Sequence, residues 1–311
     1  MDMRKALDAK ASSLMVGICI IWGIQQVVLK IAAADISPIM QIAIRSGLSA
    51  LMVLPLIQLQ QGVSLFSKEY FIPGIWIALL FSAEFFLVAE ALRYTTASHS
   101  VVLLYTAPIF VALGLHWKLP TERLAMIQWG GIFIAFLGIV VTFMGRDDQA
   151  VGSDMLLGDV LALIAGIMWA LTTISLRLTK LSDAHPTQTL FYQLLGGFVF
   201  LFPLAFILGQ AEIHWTIIAI GSLAFHTLIM SFMSLMLWFW LLRHYLANHL
   251  GVFSFLTPIF GMIFGVLFLN ERIELNFIVG TALVVLGVMV VSLHVWIERK
   301  LHRFEFIKSP K

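Results

Sequence analysis

Charge is what this 311-residue chain has little of: Asp, Glu, Lys and Arg make up 12% of it, against 60% hydrophobic residues. An ordinary soluble domain carries about 25% charged residues, so a water-soluble globule is excluded. With a mean hydropathy of +0.98, 25 Phe and 9 Trp, the exterior as well as the core is apolar, which requires lipid as solvent. An excess of one sign is missing too. The 19 Lys and Arg against 17 Asp and Glu give a formal charge of +2, too little for a nucleic-acid surface. Cys19 is the one cysteine, which rules out a disulfide framework and a thiolate metal cage. No His and carboxylate spacing suggests a metal, and no cofactor is expected. HExxH, GxSxG and Walker loops are absent, so the chain does not read as an enzyme.

What is present is a series of apolar runs long enough to cross a hydrocarbon layer of about 30 Å. Ten are expected, over 12–32, 37–59, 70–92, 97–117, 124–145, 156–178, 187–208, 214–241, 247–269 and 275–297, with nothing between them that could hold a soluble domain. If the N-terminus is cytoplasmic, Arg4, Lys5, Lys10, Lys68, Lys118, Arg123, Arg177, Lys180, Arg243, Arg299, Lys300, Arg303, Lys308 and Lys311 fall inside. Only Arg93, Arg146 and Arg272 fall outside. This imbalance predicts both termini in the cytoplasm of a multi-pass protein of the plasma, or inner, membrane. Residues 298–311 read as a basic cytoplasmic tail.

The second half repeats the first. Trp22, Lys30 and Gln41 fall on Trp169, Arg177 and Gln188 at an offset of 147. Arg93, Ala97, His99 and Pro108 fall on Arg243, Ala247, His249 and Pro258 at 150, and Glu122-Arg123, Gly131 and Gly138 on Glu271-Arg272, Gly280 and Gly287 at 149. The units are 12–145 and 156–297. Five helices is an odd number, so the second copy enters the membrane in the opposite sense. Such inverted repeats can rock about a shared midplane site. The expected fold class is therefore an all-α membrane protein of ten transmembrane helices in two inverted five-helix repeats.

The residues carrying the repeat also carry a resemblance. "AIRSGLSAL" in the second span, "ALRYTTASHSVVLLYTAPIF" through the third and fourth, and "ERLAMIQWGGIFIAFLGIVV" with its copy "ERIELNFIVGTALVVLGVMV" resemble the EamA family of the drug/metabolite transporter (DMT) superfamily. The resemblance implies ten helices, cytoplasmic termini and export, or occasionally uptake, of small metabolites such as amino acids. An arginine at the position of Arg45 resembles what the family commonly shows, whereas a carboxylate at Glu84 does not match its pattern.

Depth along each span follows from a rise of about 1.5 Å per residue. Arg45 and Glu84 come out at one level near the midplane, Lys30 and Glu90 at another about 12–13 Å toward the outside, so the expected ion pairs are Arg45 with Glu84 and Lys30 with Glu90. Glu84 is the leading candidate for substrate choice or proton coupling, its alternative being a structural pair with Arg45. His226 lies near the same depth and is the second coupling candidate, its alternative being a buried histidine bonded to a carbonyl. Trp22, Gln26 and Lys30 form a stripe at i, i+4, i+8, repeated by Trp169, Thr173 and Arg177. With Gln25 and Tyr105 these residues suit an apolar cavity holding a few polar groups, or packing between the halves. Pro108 and Pro258 break the ladder at matched sites, as hinges or static kinks. Gly131, Gly138, Gly280 and Gly287 mark close helix packing. The Glu-Arg pairs, following Thr121 and Asn270, read as start signals for the fifth and tenth helices.

The function expected is secondary transport of a zwitterionic or amphipathic metabolite, as an exporter that draws any uphill work from an ion gradient. Alternatives are a carrier for an anionic solute such as a phosphorylated metabolite, or an uptake permease. The partners expected are the small-molecule substrate and the bilayer, with no nucleic acid; a homodimer is left open.

Overall fold

A computed structural model describes residues 8–59, 67–120, 123–144, 153–245 and 253–308. Its helices are α1 (Ala9–Ile31), α2 (Pro38–Gln58), α3 (Lys68–Tyr94), α4 (Ala97–Leu104), α5 (Ala107–Lys118), α6 (Met126–Phe143), α7 (Ser153–Leu178), α8 (Pro186–Ile207), α9 (Ile217–Ala224), α10 (Leu235–His244), α11 (Leu256–Leu269) and α12 (Leu275–Lys308), with a π-helix at Phe225–Ser234 between α9 and α10. Among the described residues, nine helical stretches are long and apolar enough to cross a membrane, and the 14-residue α11 is a shorter apolar helix. The protein is an all-α membrane protein built from two inverted five-helix repeats. Glu122, Arg146, Ala247 and His249 lie outside the described residues.

Helix starts follow local chemistry. Asp8 caps α1 through Ala11 N–H at 2.7 Å, and Ser37 and Thr216 cap α2 and α9. Pro38 and Pro186 occupy the first turns of α2 and α8, where no hydrogen bond needs a proline N–H. The Ala11 N–H and the Tyr245 hydroxyl, 2.9 Å from the other oxygen, hold the Asp8 carboxyl below its usual range, and Asp8 in turn raises the Tyr245 phenol. This ties the start of α1 to the end of α10.

Two of the expected spans are not single α-helices. The fourth breaks at Tyr105 and Thr106, because Pro108 has no N–H to give to Leu104 and its ring crowds that carbonyl. Their repeat mates, Phe255 and Leu256, mark the matched start of α11 ahead of Pro258. The eighth widens into ten residues of π-helix. α12 runs on past residue 297 as far as Lys308, so most of the basic tail is helical.

Packing follows the inverted symmetry. α2 lies against its own mate α8 and α6 against its mate α12, while α1 packs on α11 and α7 on α4 and α5. In lipid, helices gain little from hiding apolar surface, so close backbone approach has to hold them together. The four matched glycines supply it between α6 and α12. A Cβ at Gly138 would lie 2.7 Å from the Gly280 carbonyl oxygen, and one at Gly131 would lie 2.8 Å from that of Gly287. Gly23 makes the same contribution between α1 and α11, its Cβ position 2.8 Å from Phe260.

Candidate functional site

At mid-depth α1, α2, α3, α7, α8 and the π-helix enclose a cavity of about 230 Å³. Its polar walls are Gln25, Arg45, Glu84, Thr172, Thr173, Gln193 and Ser231; its apolar walls include Trp22, Phe81, Phe85, Tyr105, Trp169 and Met230. Seven of the sequence candidates therefore meet here: Trp22, Gln25, Arg45, Glu84, Tyr105, Trp169 and Thr173. Two do not. Gln26 is buried away from the cavity with its Oε1 lacking a hydrogen bond. His226 is fully buried behind it, Nδ1 2.8 Å from the Ser222 carbonyl oxygen and Nε2 3.2 Å from that of Gln25. The i, i+4, i+8 stripe on α1 is thus replaced by Trp22 and Gln25, at i and i+3. Each i+4 step advances about 40° round the helix, which carries Gln26 and Lys30 off the cavity face.

Neither expected ion pair is made by direct contact, although Arg45 and Glu84 line one cavity and lie in each other's field. Arg45 is 2% exposed and its Nη1 donates to Met230 Sδ at 3.3 Å and, at 3.5 Å, to Gln25 Oε1. Its guanidinium carbon sits 4.6 Å above the Phe85 ring centre, and its Nε has no hydrogen-bond partner. Glu84, also buried, makes no hydrogen bond or ion pair among the described residues, although it lines the same cavity. Lys30 donates instead to the Thr95 carbonyl, and Glu90 takes Arg93 at 2.6 Å and Gln210 at 2.8 Å. Depth fixes only the level of a charge; its angle round the helix decides the partner.

A long turn of π-helix explains why its residues point where they do. The wider turn, common at functional sites, sends Met230 and Ser231 into the cavity. Ser234 is aimed at α1, where its Oγ accepts from Trp22 Nε1 at 3.0 Å and fixes the indole.

Toward the end of the bundle that carries the termini lies a second cavity of about 770 Å³, bounded by α5, α6, α10, α11 and α12. Trp22, Tyr105, Trp169 and Thr173 line both cavities. Trp22 meets Trp238 edge to face at 5.6 Å and Tyr105 meets Trp169 in the same manner at 5.2 Å. These aromatic residues form a waist between the two spaces. Pro108 and Pro258, the hinge candidates, line the larger one.

The opposite, far end is cross-tied by polar contacts around residues 95–99. Thr95 takes Lys30 on its carbonyl and gives its hydroxyl to Asp159, whose other oxygen is 2.9 Å from His99 Nδ1. The His99 ring stacks on Phe277 at 3.7 Å. Glu271 accepts from Ala97 N–H at 2.7 Å, and from Ser98 N–H at 3.0 Å and Oγ–H at 2.5 Å. Its expected role is thereby corrected. α12 starts only at Leu275, Asn270 is the left-handed C-cap of α11 at φ 51°, and Glu271 caps α4 in the other repeat. Asp159, fully buried, was missed by sequence reading; the signal available was an acid inside an apolar span near the depth of His99. Among the described residues, no group of three or more His, Cys, Asp or Glu could hold a metal.

Comparison with known proteins places this architecture. The chain is 24% identical over 278 residues to the uncharacterized transporter YoaV of Bacillus subtilis, covering 88% of this chain and 94% of the relative. It is 28% identical over 213 residues to an uncharacterized transporter of Archaeoglobus fulgidus, covering 68% and 71%. One crystal structure shares the fold, with a TM-score of 0.64 at 17% identity over 93% of this chain and 98% of the other. The EamA-like transporter family matches twice, over residues 9–144 and 156–293. With nearly its whole length covered by these two copies, this membrane protein belongs to the EamA-like transporter family.

Proposed function

We propose that the protein is a secondary transporter that exports a small zwitterionic solute by alternating access of its two repeats. The observation that carries this reading is the state of the two charges in the smaller cavity. Arg45 holds a buried N–H without an acceptor and a thioether where an anionic oxygen would serve better, and Glu84, facing the same cavity, accepts no hydrogen bond among the described residues. A buried cation and a buried anion each lacking a matched partner form a receptor for a solute that brings a carboxylate to one and an ammonium to the other. A purely anionic solute is disfavoured, because Glu84 would repel it.

Loading from the cytoplasm is supported by the far-end ties together with the larger cavity on the terminal side. It requires both termini to be cytoplasmic in the inner membrane, as the Lys and Arg imbalance favours. Reporter fusions after Lys68, Lys118, Lys180, Arg243 and Lys311 should all read cytoplasmic, and a fusion at Gln149 external; an external reading at Lys311 would overturn this orientation.

Glu84 is the proposed proton-coupling group, with Pro108 and Pro258 as hinges. Replacing Glu84 by Gln keeps shape and most hydrogen bonding while removing the titratable proton. Purified Glu84→Gln protein in liposomes should bind norleucine more weakly, keep counterflow at saturating norleucine, and lose accumulation driven by a pH gradient. Full pH-driven accumulation by the folded variant would remove Glu84 from the coupling and make His226 the next group to test.

A further inference from the structure

We propose that the transported zwitterion carries an apolar tail, seated in the larger cavity while its charged head occupies the smaller one. The inference rests on the zwitterionic reading of Arg45 and Glu84 and adds what lies beyond their reach. The two cavities share walls and differ in charge: both are mainly apolar, and Thr173, Ser254 and Ser292 give the larger one a few neutral polar groups. Among the described residues, no charged side chain lines the larger one. α12 gives it Val284, Val285, Val288 and Val291, and its most polar residue, Gln128, is consumed by structure. That amide donates to the Val291 carbonyl at 3.1 Å and accepts from Ala125 N–H at 2.9 Å.

A charged or strongly hydrophilic group would gain little from such walls, whereas an alkyl or aryl group would leave water for them. The aromatic waist suits the junction. Trp22 is locked by Ser234, so the flat face it presents persists while a chain threads past Tyr105 and Trp169. The arrangement also fixes a polarity: head toward the cross-tied far end, tail toward the termini.

The test is a homologous series of α-amino acids, alanine, norvaline, norleucine and 2-aminooctanoate, titrated against the full chain in lipid nanodiscs and read by the fluorescence of the waist tryptophans. Affinity should rise about threefold to fourfold per added methylene, the partition expected for hydrocarbon leaving water. Ala112→Phe and Val285→Phe each fill the larger cavity from a different helix. In either variant alanine should bind as before while the gain along the series collapses. A flat or falling series with alanine still bound would overturn the tail and leave the zwitterionic receptor standing. So would a gain that survives both fillings. If no member binds, the zwitterionic reading falls, and the tail with it.

Discussion

Replacing Arg45 by Met should cost at least about 30-fold in affinity for a zwitterionic solute such as norleucine and leave the protein as stable as before, or more so. Truncating one member of a desolvated charge pair costs about 2–5 kcal/mol in other complexes, and here the pair is completed only when the solute's carboxylate arrives. The stability side runs the other way. Arg45 is desolvated in the folded protein, yet its partners are a thioether, a 3.5 Å amide contact, a ring face and nothing at Nε. A buried charge so poorly repaid is often no better for folding than an apolar residue of similar volume, and Met, though shorter than Arg, is the unbranched apolar residue nearest to it in shape. Arg45 and Glu84 are not in contact, so removing Arg45 breaks no hydrogen bond to the carboxylate and costs Glu84 only the field of a charge across the cavity. Thermal melting followed by size-exclusion chromatography reads the stability and titration in nanodiscs the affinity. A variant that unfolds well below the parent would mean that Arg45 holds the helices together, and undiminished binding would move the carboxylate site elsewhere.

That Arg45 belongs to the cavity was legible in the sequence, and so were Trp22, Gln25, Glu84, Tyr105, Trp169 and Thr173, because each is polar or aromatic at a depth where lipid tolerates neither without a reason. Hydropathy and the repeat likewise fix the helix count, since both depend on composition averaged over about 20 residues. What could not be read is anything that depends on azimuth or on a neighbouring chain segment. Lys30 and Glu90 share a level but face different helices. Nothing in the sequence Phe225–Ser234 announces a π-helix, whose wide turn is set by what it packs against, Ser49, Gln25 and Trp22 among them. Glu271 is the sharpest case. The motif Asn-Glu-Arg looks like a cap for the helix that follows, and local rules support that assignment, but the left-handed Asn270 turns the acid away toward α4.

Replacing Glu271 by Gln should open the far end, raising thiol labelling from that face about tenfold. The carboxylate sits on the first N–H groups of α4, where the helix dipole favours a negative charge, and makes three charge-assisted bonds there. A Cβ on Gly265 would collide with Ser98 Oγ and with Glu271 Oε2, so even the absence of a side chain at that position serves the contact. Glutamine keeps an acceptor oxygen but loses the charge and brings an amide N–H₂ group toward other donors. Losing about 1.5 kcal/mol of such bonding from the closed state alone shifts the closed-to-open ratio roughly tenfold. The contact joins the two repeats, from the loop after α11 to the start of α4, so what it stabilises is their closed arrangement rather than either repeat by itself. Asp159 adds to the same closure, and its repeat mate at the other end is the uncharged Ser12, so the far end alone carries this acid. The measurement uses Leu104→Cys, a cavity-lining position seven residues below the start of α4, in a Cys19→Ser background, with an impermeant thiol reagent applied to each face of oriented vesicles. Labelling from the far face should rise with Glu271→Gln and fall back in part with Glu271→Asp, while labelling from the terminal face should not rise. An equal rise from both faces would mean general loosening, and no rise from the far face would mean that Glu271 merely caps α4 and holds nothing shut.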